Sequence, residues 1–81
     1  MPTDTHATIL VVEDDAAVRN LVLTTLGSHG FNTLSESTGK GAIASVATNA
    51  PDVVLLDLGL PDIDGIEVVR AVRSWSQMPI I

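Results

Sequence analysis

Two apolar runs in this chain end in carboxylates. ILVVEDD, residues 9 to 15, closes on Glu13, Asp14 and Asp15, and DVVLLD, residues 52 to 57, closes on Asp57 before a loop that adds Asp62 and Asp64. Burial disfavours an ionised carboxyl group, so an acid at the end of an apolar run asks for a cation or for hydrogen-bond donors. The only bases are Arg19, Lys40, Arg70 and Arg73, none of them adjacent to these acids. If Glu13, Asp14 and Asp57 converge, two like charges ~4 Å apart at an effective dielectric of 20 repel by roughly 4 kcal/mol. Such a cluster must protonate in part or hold a cation, and the cation is the stronger reading. The donors are all hard oxygens. There is no cysteine, His6 lies in a polar tail and His29 ends a helical stretch, so magnesium, or manganese, is favoured over zinc.

The elements that must position these acids follow from periodicity. TILVVE (8 to 13) is rich in β-branched residues and reads as a strand buried on both faces. From Ala16 the period changes to that of a helix, with Val18, Leu21, Val22, Leu26 and His29 on one stripe and Gly30 as the stop. FNTLSE (31 to 36) suits an edge strand. Ile43, Val46, Ala47 and Ala50 mark a second helix that ends before Pro51. DVVLLD (52 to 57) looks the most strongly buried strand. Asp64 and Glu67 then form a capping box for a third helix through Ile66, Val69 and Val72. MPII (78 to 81) reads as the opening of a fourth strand.

Strands alternating with helices at this spacing predict an α/β fold, a doubly wound parallel sheet of the flavodoxin-like order. Ligands of such sheets bind beyond the carboxyl ends of the strands where the strand order reverses, here between strands one and three. Both acidic ends belong there. A fourth strand that merely opens implies that residues 1–81 are the amino-terminal part of a larger domain, incomplete at its carboxyl end.

Composition sets limits on function. With 46% apolar residues and a formal charge of -6, the chain is neither a disordered polyelectrolyte nor suited to direct nucleic-acid binding. No apolar stretch approaches the ~20 residues of a membrane span, and MPTDTHA lacks the features of a signal peptide, so no membrane partner is expected and the cytoplasm is the expected location.

ILVVEDD (9 to 15), DVVLLDLGLPDIDG (52 to 65) and MPII (78 to 81) together closely resemble the receiver domain of two-component response regulators. The likeness covers nearly the whole chain in order and spacing. LDLGLPDIDGIEVVR with SWSQMPII is most similar to the potassium-responsive regulators of the winged-helix transcription-factor subfamily. The resemblance implies that Asp57 is the phospho-acceptor, that Asp14 binds magnesium directly, that Glu13 helps through the metal's water shell, and that Gly59 contributes its backbone carbonyl. It further implies a sensor histidine kinase as partner and a signalling domain that assists its own phosphorylation rather than an enzyme. DNA would be contacted only through an output domain that these residues do not include, and a homodimer of the complete protein is left open. The family's serine or threonine after strand four and lysine after strand five have no counterpart among residues 1–81. Lys40 sits elsewhere in the pattern and replaces neither.

Other roles compete for several residues. Asp15 and Asp64 suit helix caps, and Asp62 reads as a solvated loop acid. Trp75 is expected to pack near the end of helix three. TGKGA around Lys40 lacks the spacing of a phosphate loop. Ala16, Asn20 and Leu23, opposite Val18 and Val22, would give a kinase helix a docking face. A magnesium-dependent phosphohydrolase with an aspartate nucleophile is the first alternative, but it wants a second aspartate where Gly59 stands. The second is a receiver-like interaction module that is never phosphorylated, against which the intact Glu13, Asp14 and Asp57 set counts.

Overall fold

The structure, a computed structural model, describes residues 6–81; the polar stretch 1–5 lies outside the described residues. The elements run β1 (Thr8–Val12), α1 (Ala16–Ser28), β2 (Asn32–Glu36), α2 (Gly39–Asn49), β3 (Val53–Leu56) and α3 (Gly65–Arg73). The three strands form a parallel sheet in the order β2-β1-β3, the doubly wound arrangement that the alternation of periods predicts. Ile80 makes a single parallel bridge to Val54 on the free side of β3, so the residues read as an opening strand do begin to pair there.

Each helix has a side-chain cap at its start. Asp15 caps α1 by accepting from the Val18 amide at 3.0 Å, and Thr38 caps α2 through the Gly41 amide at 3.0 Å. Asp64 caps α3 through Ile66. Only half of the expected capping box forms, because Glu67 turns to Arg70 at 3.2 Å instead of reaching back. After α1 the chain reverses at Gly30, whose φ of 87° is one that a side chain resists.

The core lies on one face of the sheet. Leu10 and Val12 of β1 and Val54 of β3 meet Ala42 and Val46 of α2 and Val68 and Val72 of α3. The alternating residues Val11 and Leu55 face the other way, where they line an open hollow of about 340 Å³ with Val22 of α1 and Ile81. Among the described residues, α1 is the one helix on that side.

That asymmetry corrects several expectations. β1, in the middle of the sheet, is the most buried strand, whereas in β3 only Val54 is fully covered. α1 contributes no buried residue. Val18 is 45% exposed and Leu21 67%, because among the described residues no second helix lies beside α1 to cover them, while Leu23 is half-buried. The face expected to bury Val18 and to present Leu23 is therefore rotated, and only Ala16 and Asn20 of the expected docking triplet are exposed. In α3 the buried stripe runs through Gly65, Val68 and Val72, one position away from the expected Ile66, which is 50% exposed. Ala47 and Ala50 of the expected α2 stripe are also exposed. Trp75 lies in the turn after α3 and remains 51% exposed, not packed.

Candidate functional site

Strand register builds the site. Val12 of β1 pairs with Leu56 of β3, so the residues that follow, Glu13 and Asp57, emerge side by side at the carboxyl edge of the sheet. The ladder continues one step further, since the Asp57 amide donates to the Val12 carbonyl at 3.0 Å and the Glu13 amide to Glu36 at 3.1 Å. Asp14 sits in the turn between this edge and the α1 cap. Glu13, Asp14 and Asp57 each place a carboxylate oxygen within 4.8 Å of the other two.

Backbone amides and one base hold this cluster. The Gly59 amide donates to Asp57 Oδ1 at 3.0 Å, which fixes the plane of that carboxylate, and the Asp15 amide donates to Glu13 Oε2 at 3.1 Å. Arg19, one turn into α1, sends Nη1 to the Glu13 carbonyl at 2.9 Å and toward the Asp14 carbonyl at 3.5 Å. Sequence reading gave Arg19 no role at the site. Its spacing from Glu13, six positions across a helix cap, is the signal that it could return to the turn.

Electrostatics show the strain of convergence. The hydrogen bond from the Asp15 amide is the largest single influence on Glu13 and lowers its pKa. Burial and the neighbouring carboxylates of Asp14 and Asp57 together outweigh it, and the carboxyl is held above its ordinary value. The carboxylates that raise the affinity of Glu13 for a proton give the cluster the same reason to attract a cation. The donor set consists of oxygens, Glu13 and Asp57 are half-buried, and Asp14 is open to solvent, a combination suited to a hard, partly hydrated divalent ion.

Other acids are used differently. Glu36, at the end of β2, points over the first turn of α2, where a Cβ at Gly41 would meet its Oε1. Asp62 is an exposed loop acid, as expected, but it is not idle: its carboxylate accepts from the amides of Gly39 at 2.7 Å and Lys40 at 2.9 Å, so those two amides of the TGKGA stretch hold an anion belonging to the chain itself. The two amide bonds, Lys40 first, hold the Asp62 carboxyl below its ordinary value.

Residues 9–81 match the response regulator receiver domain. The KDP operon transcriptional regulatory protein KdpE of Escherichia coli is 42% identical over 73 residues, a match spanning 90% of this chain and 32% of KdpE. The chain thus corresponds to about a third of that relative's length. Among solved structures, the BeF3-activated N-terminal receiver domain of Klebsiella pneumoniae RstA superposes with a TM-score of 0.86 at 40% identity, covering 90% of this chain and 62% of that one. The complex of histidine kinase ThkA with response regulator protein TrrA gives a TM-score of 0.85 at 29% identity, with coverage of 91% and 65%.

Proposed function

The chain belongs to the response regulator receiver domain family, and from that premise we propose that it takes a phosphoryl group from a sensor histidine kinase onto Asp57, with magnesium bound beside the acceptor. The single observation that carries this reading is the convergence of Glu13, Asp14 and Asp57 within 4.8 Å at the carboxyl edge of β1 and β3. As a receiver it is a signalling domain, related to transcription regulators through KdpE.

The residues that would hold the metal are Asp14 and Asp57 directly, Glu13 through a water, and Gly59 by its backbone carbonyl. A divalent ion supplies charge neutralisation where two anions, a carboxylate and a phosphoryl group, must approach each other. Everything else falls to the chain. An ionised Asp57 oxygen attacks phosphorus as the bond from phosphorus to the kinase imidazole nitrogen breaks; the product is an acyl phosphate, and the imidazole leaves with the electron pair of that bond. Gly59 orients the nucleophile through its amide on Oδ1. Strand β3 fixes the distance of approach, because Asp57 still belongs to the ladder through its own amide.

The partner kinase follows from the same chemistry and is of the kind found with TrrA in its complex with ThkA. The likeness to KdpE supports an output in transcription, exerted through a DNA-binding domain in the complete protein. No described helix is long and apolar enough to cross a membrane. The proposed location, the cytoplasm, rests on membership of the receiver family.

Treatment with acetyl phosphate and magnesium, followed by mass spectrometry, tests the assignment. One acid-stable, base-labile phosphoryl adduct on Asp57 is expected, absent from Asp57→Asn. Undiminished acyl phosphate in Asp57→Asn would overturn it.

A further inference from the structure

The loop that follows Asp57 is fastened at its far end to a helix other than the one it leads into. Asp62 Oδ1 accepts from Gly39 and Oδ2 from Lys40, the first two amides of α2, which have no intrahelical acceptor. Thr38 takes the Gly41 amide, so the local cap and the distant acid divide the helix start between them. Ile63 then seats against Gly39 so closely that a Cβ at that position would collide with its Cγ1. At the near end the Gly59 amide holds Asp57 Oδ1, and buried Gly65 backs onto Leu58 Cα and the Asp57 carbonyl.

Between these two ends the backbone has few choices. Pro61 has a fixed φ, and Leu60 packs against the core. Gly59 itself is exposed and has no side chain with which to anchor its peptide, so its direction depends on where residues 60 to 63 are held. Asp62 is the side chain that carries the hydrogen bonds of this segment to another element. It stands outside the acidic cluster of Glu13, Asp14 and Asp57, and it differs from Asp64, which caps its own helix.

We propose that Asp62 is a positioning residue for the phospho-acceptor: by clamping the loop to the start of α2 it fixes the peptide at Gly59 and thereby the orientation of the Asp57 carboxylate. The inference rests on the reading of Asp57 as acceptor. A residue that only capped α2 would act on that helix alone, whereas a clamp acts on Gly59 and Asp57, which lie in a different element.

The experiment compares wild type, Asp62→Ala, Asp62→Asn and Thr38→Ala, each the full chain. Amide hydrogen exchange at Gly59 is read without metal, and magnesium affinity and the rate of phosphorylation by acetyl phosphate are read on the same samples. Asp62→Ala is expected to accelerate exchange at Gly59, to weaken magnesium about tenfold, as loss of supporting contacts around a metal typically does, and to slow phosphorylation. Asp62→Asn, with one acceptor oxygen left, should fall between it and wild type. Thr38→Ala weakens the same helix start without touching the loop and should leave Gly59 exchange and magnesium affinity as in wild type. Wild-type values in Asp62→Ala would overturn the proposal, as would equal effects of Thr38→Ala and Asp62→Ala. If Asp62→Ala fails to fold, wild-type values in Asp62→Asn overturn it. Asp57→Asn serves as the control for the underlying reading: magnesium affinity and phosphorylation that survive it would remove both claims. Loss in Asp57→Asn with no effect at Asp62 would remove only this one.

Discussion

Arg19 Nη1 lies 2.9 Å from the carbonyl oxygen of Glu13, so the base nearest the acidic cluster is committed to the main chain of the turn. The guanidinium stiffens the β1–α1 connection that carries Glu13 and Asp14. A hydrogen bond from a charged donor contributes about 1.5–3 kcal/mol when part-buried. Arg19→Ala is therefore expected to lower stability by about that amount and to weaken magnesium binding, with Arg19→Lys intermediate because lysine cannot reproduce the planar fork. Urea unfolding with and without magnesium checks both; unchanged midpoints in Arg19→Ala would show that the contact contributes nothing.

Asp57→Asn should remove phosphorylation yet stabilise the metal-free chain. One of three mutually repelling charges disappears, and two charges ~4 Å apart and screened by water repel by about 1 kcal/mol. Added magnesium should reverse the order, stabilising wild type more than the variant. Thermal melts in EDTA and in excess magnesium read this directly, and a variant less stable than wild type in EDTA would contradict the repulsion argument.

The packing of the loop on glycine gives a third expectation. A Cβ at Gly65 would lie 2.7 Å from Leu58 Cα, a backbone atom that cannot move without shifting the residue after Asp57. Gly65→Ala should cost roughly 1–3 kcal/mol, as overpacking does. It should also slow phosphorylation more than an equally destabilising change elsewhere, for which Val46→Ala in the core is the reference. Equal rates in the two variants would confine the role of Gly65 to packing.

Much of this was readable from residue order. Two apolar runs ending in acids, separated by a helix, a strand and a second helix, have little choice but to bring Glu13 and Asp57 to one edge once the β2-β1-β3 order is adopted. The caps Asp15 and Asp64 were legible because capping is local. The burial of α1 was not, since Val18 and Leu21 obey helical periodicity whether or not anything lies against them. The exposure of Asp62 was legible, but its partners were not, for a related reason. Its partners are 22 and 23 residues away, and nothing in a loop acid announces which helix start it will meet. The only trace was Gly39 and Gly41 flanking Lys40, small residues that leave a helix start open to another chain segment.

The Asp62 clamp also fixes the sign of an acid dependence. The amides of Lys40 and Gly39 stabilise the ionised carboxylate in the folded chain, and its pKa lies below the ordinary 3.8. Above 3.8 the group is charged in both folded and unfolded chains, and its contribution to stability is fully present. As pH falls below 3.8 the unfolded chain takes up the proton first, so stability declines until the folded carboxyl protonates as well, where the contribution is gone. In Asp62→Asn this limb is missing. The stability difference between wild type and Asp62→Asn should accordingly be constant from neutral pH down to about pH 5 and shrink as acid is added through the carboxylate range. High salt should reduce it at neutral pH, because the carboxylate is exposed to solvent. Urea titrations of both chains across that range measure it, and a difference that grows toward low pH would mean that Asp62 does not act through its charge.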